Sequence, residues 1–303
     1  MRLFPGTEHT MKNYTYLVIL IAIFSFSQNA SGQPKLPPGM DLMVGYYGRP
    51  GAASLGVLGQ YSIEDLIPKI KAKANEYAQI AGNQKVTPAF HLIYGLATYD
   101  PGRDKNYLIP LSDEKVMRYI NAAQGEGFAV IIDLQLGKLT PLEAVKPVLP
   151  YLLHDNVHLA IDPEFEVSNL DVPPGKVIGH ISGDDINQVQ SAMAEYMREN
   201  SIDGGKILIV HMFRKSMVKN PESVKNFDKI DLIMNLDGHG SPQLKVGIYN
   251  GLYTEIIAAK VAGGFKLFFQ EDKPSMLNPK QVLGMEKVGI AKIKEPPKYI
   301  NYL

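Results

Sequence analysis

The sequence predicts an α/β protein of the (β/α)8, or TIM-barrel, class in a single domain. Three observations predict it. Short apolar runs alternate with helical patterns from Asp41 to the end of the chain. The runs are near-continuous, as in parallel strands buried on both faces. Eight such runs within residues 41–303 suit a fold that takes about 250 residues. The structural alternative, a doubly wound sheet, lacks its Gly-rich phosphate loop after the first strand.

Each element follows from local signals. The first strand covers 42–47. Ser62 then caps a helix with Glu64 and Asp65 in its first turn, running to about Ile80. Residues 86–94 form a second strand, and Ser112-Asp113-Glu114 open a helix ending near Gln124-Gly125. The third strand is 128–134, with Pro141 starting the next helix as a first-turn proline. Strand four is 157–161, and Asp184 or Asp185 caps a long helix through Asn200. Strand five is 206–213, followed by a short helix after Asn220-Pro221. Strand six is 231–236, with a helix across 244–261. Strand seven is 265–269, and Asn278-Pro279 open the next helix. The eighth strand is 298–303 in preference to 288–293. No internal repeat interrupts this count.

The N-terminal segment is expected to be a targeting signal. Lys12, an apolar run over 16–26 and the small residues Ala30-Ser31-Gly32 match a signal peptide over 1–32. The run is shorter than the roughly 20 residues of a membrane span. Met11 offers an alternative start. Residues 33–40, with three prolines, read as an extended leader before the barrel domain 41–303. A secreted or periplasmic protein follows, not lipid-anchored because it has no lipobox cysteine, and with no stable membrane insertion after cleavage.

Composition excludes other classes. The chain has no Cys, which removes disulfide scaffolds, thiolate nucleophiles and Cys-ligated metals. Its 31 Lys+Arg balance 31 Asp+Glu, so the basic footprint of a nucleic-acid binder is missing. No cofactor and no metal-ligand set is assigned. The absence of Trp removes the best stacking platform for a long polysaccharide. Were the substrate a sugar, a short saccharide or a small glycoconjugate would suit such a chain better.

Barrel enzymes work at the C-terminal ends of their strands. Here those ends carry Tyr46 and Tyr47, then His91 and Tyr94, then Asp133 and Gln135. The fourth strand ends in Asp162, Glu164 and Glu166, which share parity with Ala160 below them. The fifth ends in His211, the sixth in Asn235, Asp237 and His239, the seventh in Gln270 and Asp272. Lys266 has inward parity with Gln270 and Asp272, and an ion pair inside the barrel explains it. An acid at a strand end can also cap a helix or fill a turn, and a His within an apolar strand is often a hydrogen-bonded core residue. Three carboxylates buried together without a task would be costly, however.

Crowded carboxylates supply what glycoside hydrolysis needs, one protonated donor and one ionised partner. Glu164, Asp162 and Asp237 are the catalytic candidates. Tyr46, Tyr47, His91, Tyr94, Asp133, Gln135, Glu166, His211, Gln270 and Asp272 are the substrate-binding candidates. Asp162-x-Glu164 resembles the end of the D-x-E signature of chitinase-type barrel glycosidases, and Met234-Asn235-Leu236-Asp237 is similar to their Met-x-Tyr-Asp pattern. That resemblance implies Glu164 as the acid and Asp162 as an assistant to a substrate acetamide. The pattern departs at Val157 and Ala160, where earlier acids would fall, and at Leu236 in place of Tyr. The wider runs G-Y-Y-G-R-P-G-A, A-F-H-L-I-Y-G and D-P-E-F resemble a group of secreted bacterial proteins described as lipoproteins or hydrolases, without an established activity.

Two rivals stay open. His91, Asp133, Asp162, Glu164, His211 and Asp237 have the chemistry of metal ligands in a metal-dependent hydrolase, but lack a His-x-His or His-E-x-x-His spacing. A non-catalytic carbohydrate-binding barrel would use the same acids only to hydrogen-bond sugar hydroxyls. A serine triad lacks its Gly-x-Ser-x-Gly turn.

Overall fold

A computed structural model describes residues 36, 37, 39–82, 84–256 and 260–303, with the backbone alone at 254–256. The expected signal peptide lies outside the described residues. Eight parallel strands close on themselves: β1 (Leu42–Gly48), β2 (Val86–Ala97), β3 (Ala129–Gln135), β4 (Val157–Asp162), β5 (Lys206–Met212), β6 (Ile230–Leu236), β7 (Ala262–Leu267) and β8 (Tyr299–Tyr302). Closure comes from β1 pairing with both β2 and β8. The chain is a (β/α)8 barrel, and 298–303 supplies its eighth strand. Residues 288–293 make only an isolated bridge, Val288 to Ala291.

Helices cover the outside: α1 (Ile63–Ala81), α2 (Asp113–Glu126), α3 (Pro141–Val145), α4 (Gly183–Glu199), α5 (Pro242–Ile256) and α6 (Pro279–Val282). Their starts are set by side-chain caps. Ser62 and Ser112 accept from the amides of Asp65 and Lys115. Thr140 with Glu143 and Asn278 with Gln281 form reciprocal capping boxes.

Several elements differ from the sequence expectation. The cap of α4 is Ser182, and Asp185 is its capping-box partner rather than the cap. After α3 the chain tightens into a 3-10 helix, Lys146–Leu153, because Pro147 and Pro150 cannot donate to an α-helical ladder. The turn after Asn220 is also 3-10, Pro221–Ser223. Strand β7 starts three residues early, at Ala262. Its two glycines belong to the strand because side chains press on their backbone: a Cβ at Gly263 would lie 2.0 Å from Tyr249 Oη, and one at Gly264 2.6 Å from Asn235 Oδ1. Leu108–Pro110 adds an antiparallel strand beside the end of β2, and Ile181–Ser182 pairs with Val218–Lys219 outside the barrel.

The barrel interior is layered. Its lower part is apolar, built by Met43, Ala89, Ile131, Ala160, Ile209 and Ile233 with Tyr299 of β8. Leu36 packs into the same cluster and is buried. Part of the expected extended leader is therefore folded, and the Met40 amide donates to the Pro37 carbonyl. Burying such a side chain stabilises by about 1.5–3 kcal/mol. Above this floor the inward positions turn polar.

Candidate active site

Six strands each place a polar side chain in the middle of the barrel: His91 (β2), Asp133 (β3), His211 (β5), Asn235 (β6), Lys266 (β7) and Asn301 (β8). All six are buried. Their contacts join neighbouring strands, and one, Asp133 to His211, reaches over the strand between them. Asp133 Oδ2 lies 3.3 Å from His91 Nε2 and 3.4 Å from His211 Nε2. On the far side, His211 Nδ1 meets Asp237 Oδ2 at 3.0 Å, and Lys266 Nζ meets Asp237 Oδ1 at 2.8 Å. Lys266 Nζ also sits 3.6 Å from the centre of the Tyr47 ring. The strand between Asp133 and His211 offers only Ala160 at this level, in register with Asp133 and Ile209. That small residue leaves the room His211 needs to reach across.

A cavity of about 920 Å³ opens above this layer. Asp162, Glu164, Asp237, Lys266, Gln135 and Gln270 bring polar groups to it, and Tyr46, Tyr47, Phe165, Phe213, Phe268 and Phe269 bring rings. The loop after β1 also lines it with Ser54, Leu55 and Gly56. That loop lies against the strand end only because of glycine. Gly56 has φ +97°, and a Cβ there would fall 2.5 Å from the Tyr47 carbonyl oxygen. Arg49 fixes the neighbouring strand end by donating to the carbonyls of Ile93 and Tyr94, both at 3.0 Å.

The carboxylates divide by environment. Burial pushes the Asp162 carboxyl up to about 8, with Asp237, Asp133 and Glu164 adding to it against His211. Burial, then Asp237, also raises Glu164. Asp237 goes the other way. Burial opposes its charge, but Lys266 and His211 outweigh burial and hold it down to about 2. Burial likewise opposes the His211 charge, yet Asp133 and Asp237 lift it to about 10. Burial carries His91 down to about 4. Burial works against an Asp133 charge, but His211 and His91 keep its carboxyl well below the usual range. At neutral pH, Asp133, His211 and Asp237 therefore carry alternating charges beneath a cavity whose other two acids retain protons more readily.

The structure brings Asp162, Glu164, Asp237, Tyr46, Tyr47, Gln135 and Gln270 to one cavity. His91, Asp133 and His211 lie in the buried layer below it. Three expected substrate-binding residues lie elsewhere. Tyr94 turns outward to Tyr151, ring centroids 6.3 Å apart. Glu166 is buried in its own turn, accepting from the Ser168 amide at 2.9 Å. Its parity with Asp162 is broken because the strand ends at Asp162 and Pro163–Phe165 forms a 3-10 turn. Asp272 is sealed away with Lys245 of α5, Nζ to Oδ2 2.7 Å, and takes amides from Gly240 and Phe268. Lys266 pairs with Asp237, not with Asp272. The sequence reading missed Asn301 of the polar layer and Tyr299, whose hydroxyl meets His91 from the floor below, and the Phe residues of the cavity wall. Inward parity on β8 is the signal that would have found the first two.

No family model matches the chain, and no curated protein matches it. Solved structures resemble its backbone. A hyperthermophilic endo-β-1,4-glucanase in complex with substrate is 10% identical, with TM-score 0.46, covering 85% of this chain and 88% of that one. Oxaloacetate acetylhydrolase in complex with the inhibitor 3,3-difluorooxalacetate is 13% identical, with TM-score 0.45, covering 87% and 74%. 2,3-Dimethylmalate lyase is 12% identical, with TM-score 0.42, covering 88% and 76%. All three are barrel enzymes of different chemistry, and the barrel of this chain rests on its own strand pairing.

Proposed function

We propose that this protein is a secreted or periplasmic glycoside hydrolase acting on a short saccharide or glycoconjugate. The observation that carries the reading is the split among three carboxylates on one cavity. Asp237 is held ionised by Lys266 and His211, while burial keeps Asp162 and Glu164 protonated to higher pH. Glycoside hydrolysis needs this division of labour. Glu164, the more exposed of the raised pair, donates its proton to the leaving oxygen. Asp162 stands behind it, holding the Glu164 amide through Oδ1 at 3.0 Å. Asp237, on the same cavity, acts as nucleophile or as base toward water. Tyr46, Tyr47 and the Phe rings give the sugar its apolar faces, and Gln135 and Gln270 meet its hydroxyls.

The test is a screen of short oligosaccharides and aryl glycosides with the wild type, Glu164→Gln and Asp237→Asn, each with and without chelator. The reading expects hydrolysis that falls roughly 100- to 10,000-fold in either variant. Activity that survives Glu164→Gln and is lost with chelator would overturn it in favour of a metal-dependent hydrolase. Saccharide binding without any product, equal in wild type and Glu164→Gln, would leave a carbohydrate-binding barrel.

A further inference from the structure

The buried layer beneath the cavity contains an arrangement that the acid/base reading does not use. His91 Nε2, His211 Nε2 and both oxygens of Asp133 have no hydrogen-bond partner among the described residues. They lie deep in the barrel, all three side chains fully buried. Leaving one such group unsatisfied costs about 1–3 kcal/mol, more when it is charged. Four together on neighbouring atoms call for a common partner.

Their spacing identifies its kind. The three ligand atoms lie within 4.8 Å of one another. The two Asp133 to His separations are 3.3 and 3.4 Å, and neither pair forms a hydrogen bond. The edge of a tetrahedron around an ion with bonds of roughly 2.0–2.1 Å is about 3.3–3.4 Å. The outer contacts agree. A metal-bound imidazole engages its other nitrogen with a carboxylate, carbonyl or hydroxyl, which orients the ring. His211 Nδ1 meets Asp237 at 3.0 Å, and His91 Nδ1 shares a 2.6 Å hydrogen bond with the Tyr299 hydroxyl. Both rings are turned so that Nε2 faces Asp133.

We infer that His91, Asp133 and His211 form a binding site for one divalent zinc-like cation beneath the cavity. Two imidazoles and one carboxylate suit zinc and its late first-row neighbours better than magnesium or calcium, which prefer all-oxygen sets. Bound there, the ion replaces the His211 proton as the positive charge behind Asp237 and fixes that carboxylate through the His211 ring. Asp237 then acts as an outer residue of the metal site and as a wall of the cavity. The site stands independently of the glycosidase reading, because occupancy is measured without substrate.

The test uses the full chain, stripped with chelator and then titrated with Zn2+ and separately with Co2+. One equivalent retained through gel filtration, with the visible absorption of four-coordinate cobalt, is the expected result. His91→Gln should lose that signature. Tyr299→Phe, a mild change that leaves all three ligands in place, should weaken binding about 10- to 100-fold. It decides the matter even if His91→Gln does not fold, with circular dichroism and a thermal melt reporting the fold of each. His154→Ala, at the end of the 3-10 helix before β4, should bind as the wild type does. Failure of the folded wild type to retain either ion would overturn the proposal. So would retention unchanged in Tyr299→Phe, or in a folded His91→Gln, since the ion would then sit elsewhere.

Discussion

At the scale of the residue, the account turns on protons. Asp162, raised to about 8 by burial and by its acidic neighbours, should stay protonated through neutral pH, while Asp237 should remain ionised down to about 2. Carbon-13 NMR of protein labelled at the Asp carboxyls checks this: one buried carboxyl should titrate near 8 and another should not titrate above pH 3. Both titrating near 4, as free side chains do, would remove the basis of the split. The sign carries over to rate. A donor must be protonated, so activity should hold at neutral pH and fall as pH rises through the raised carboxyls. Lys266→Met removes the cation at 2.8 Å from Asp237, leaving a buried carboxylate short of one partner. We expect a loss of about 3–5 kcal/mol in unfolding free energy, measured with denaturant. Much of this was legible in the sequence, because Asp162, Glu164 and Asp237 end apolar strands. The partnership of Lys266 with Asp237 was not, because it depends on the register of two adjacent strands, Leu236 beside Phe265, and no spacing along the chain reports that.

At the scale of the element, strand ends do the positioning and helices hold them. The loop after β7 lines the cavity with Phe268, Phe269, Gln270 and Glu271. Its anchor is Asp272, gripped by Lys245 of α5, both sides of the pair being 1% exposed. Lys245→Met should destabilise the protein by about 3–5 kcal/mol by stranding the Asp272 charge. The double variant Lys245→Met with Asp272→Leu should recover most of that loss in the same denaturant titration. Periodicity and caps revealed where nearly every strand and helix lies. They failed where backbone chemistry overrides pattern: Pro147 and Pro150 convert a helix to 3-10, and Pro163 ends a strand whose parity otherwise runs on to Glu166. The glycines of β7 look like a turn in sequence, yet they are strand residues pressed by Tyr249 and Asn235.

At the scale of the whole molecule, the barrel has an apolar floor, a buried charged layer and an open cavity rimmed with rings and acids. The absence of Trp fits this mouth, which offers Tyr and Phe walls around a limited volume rather than a long platform. The most direct test of the central claim compares leaving groups in Glu164→Gln. If Glu164 donates the proton, the variant should lose roughly 100- to 10,000-fold on a glycoside with a poor leaving group. It should lose little on a dinitrophenyl glycoside, whose leaving group needs no proton. An equal loss on both substrates, or no loss on either, would contradict acid catalysis by Glu164.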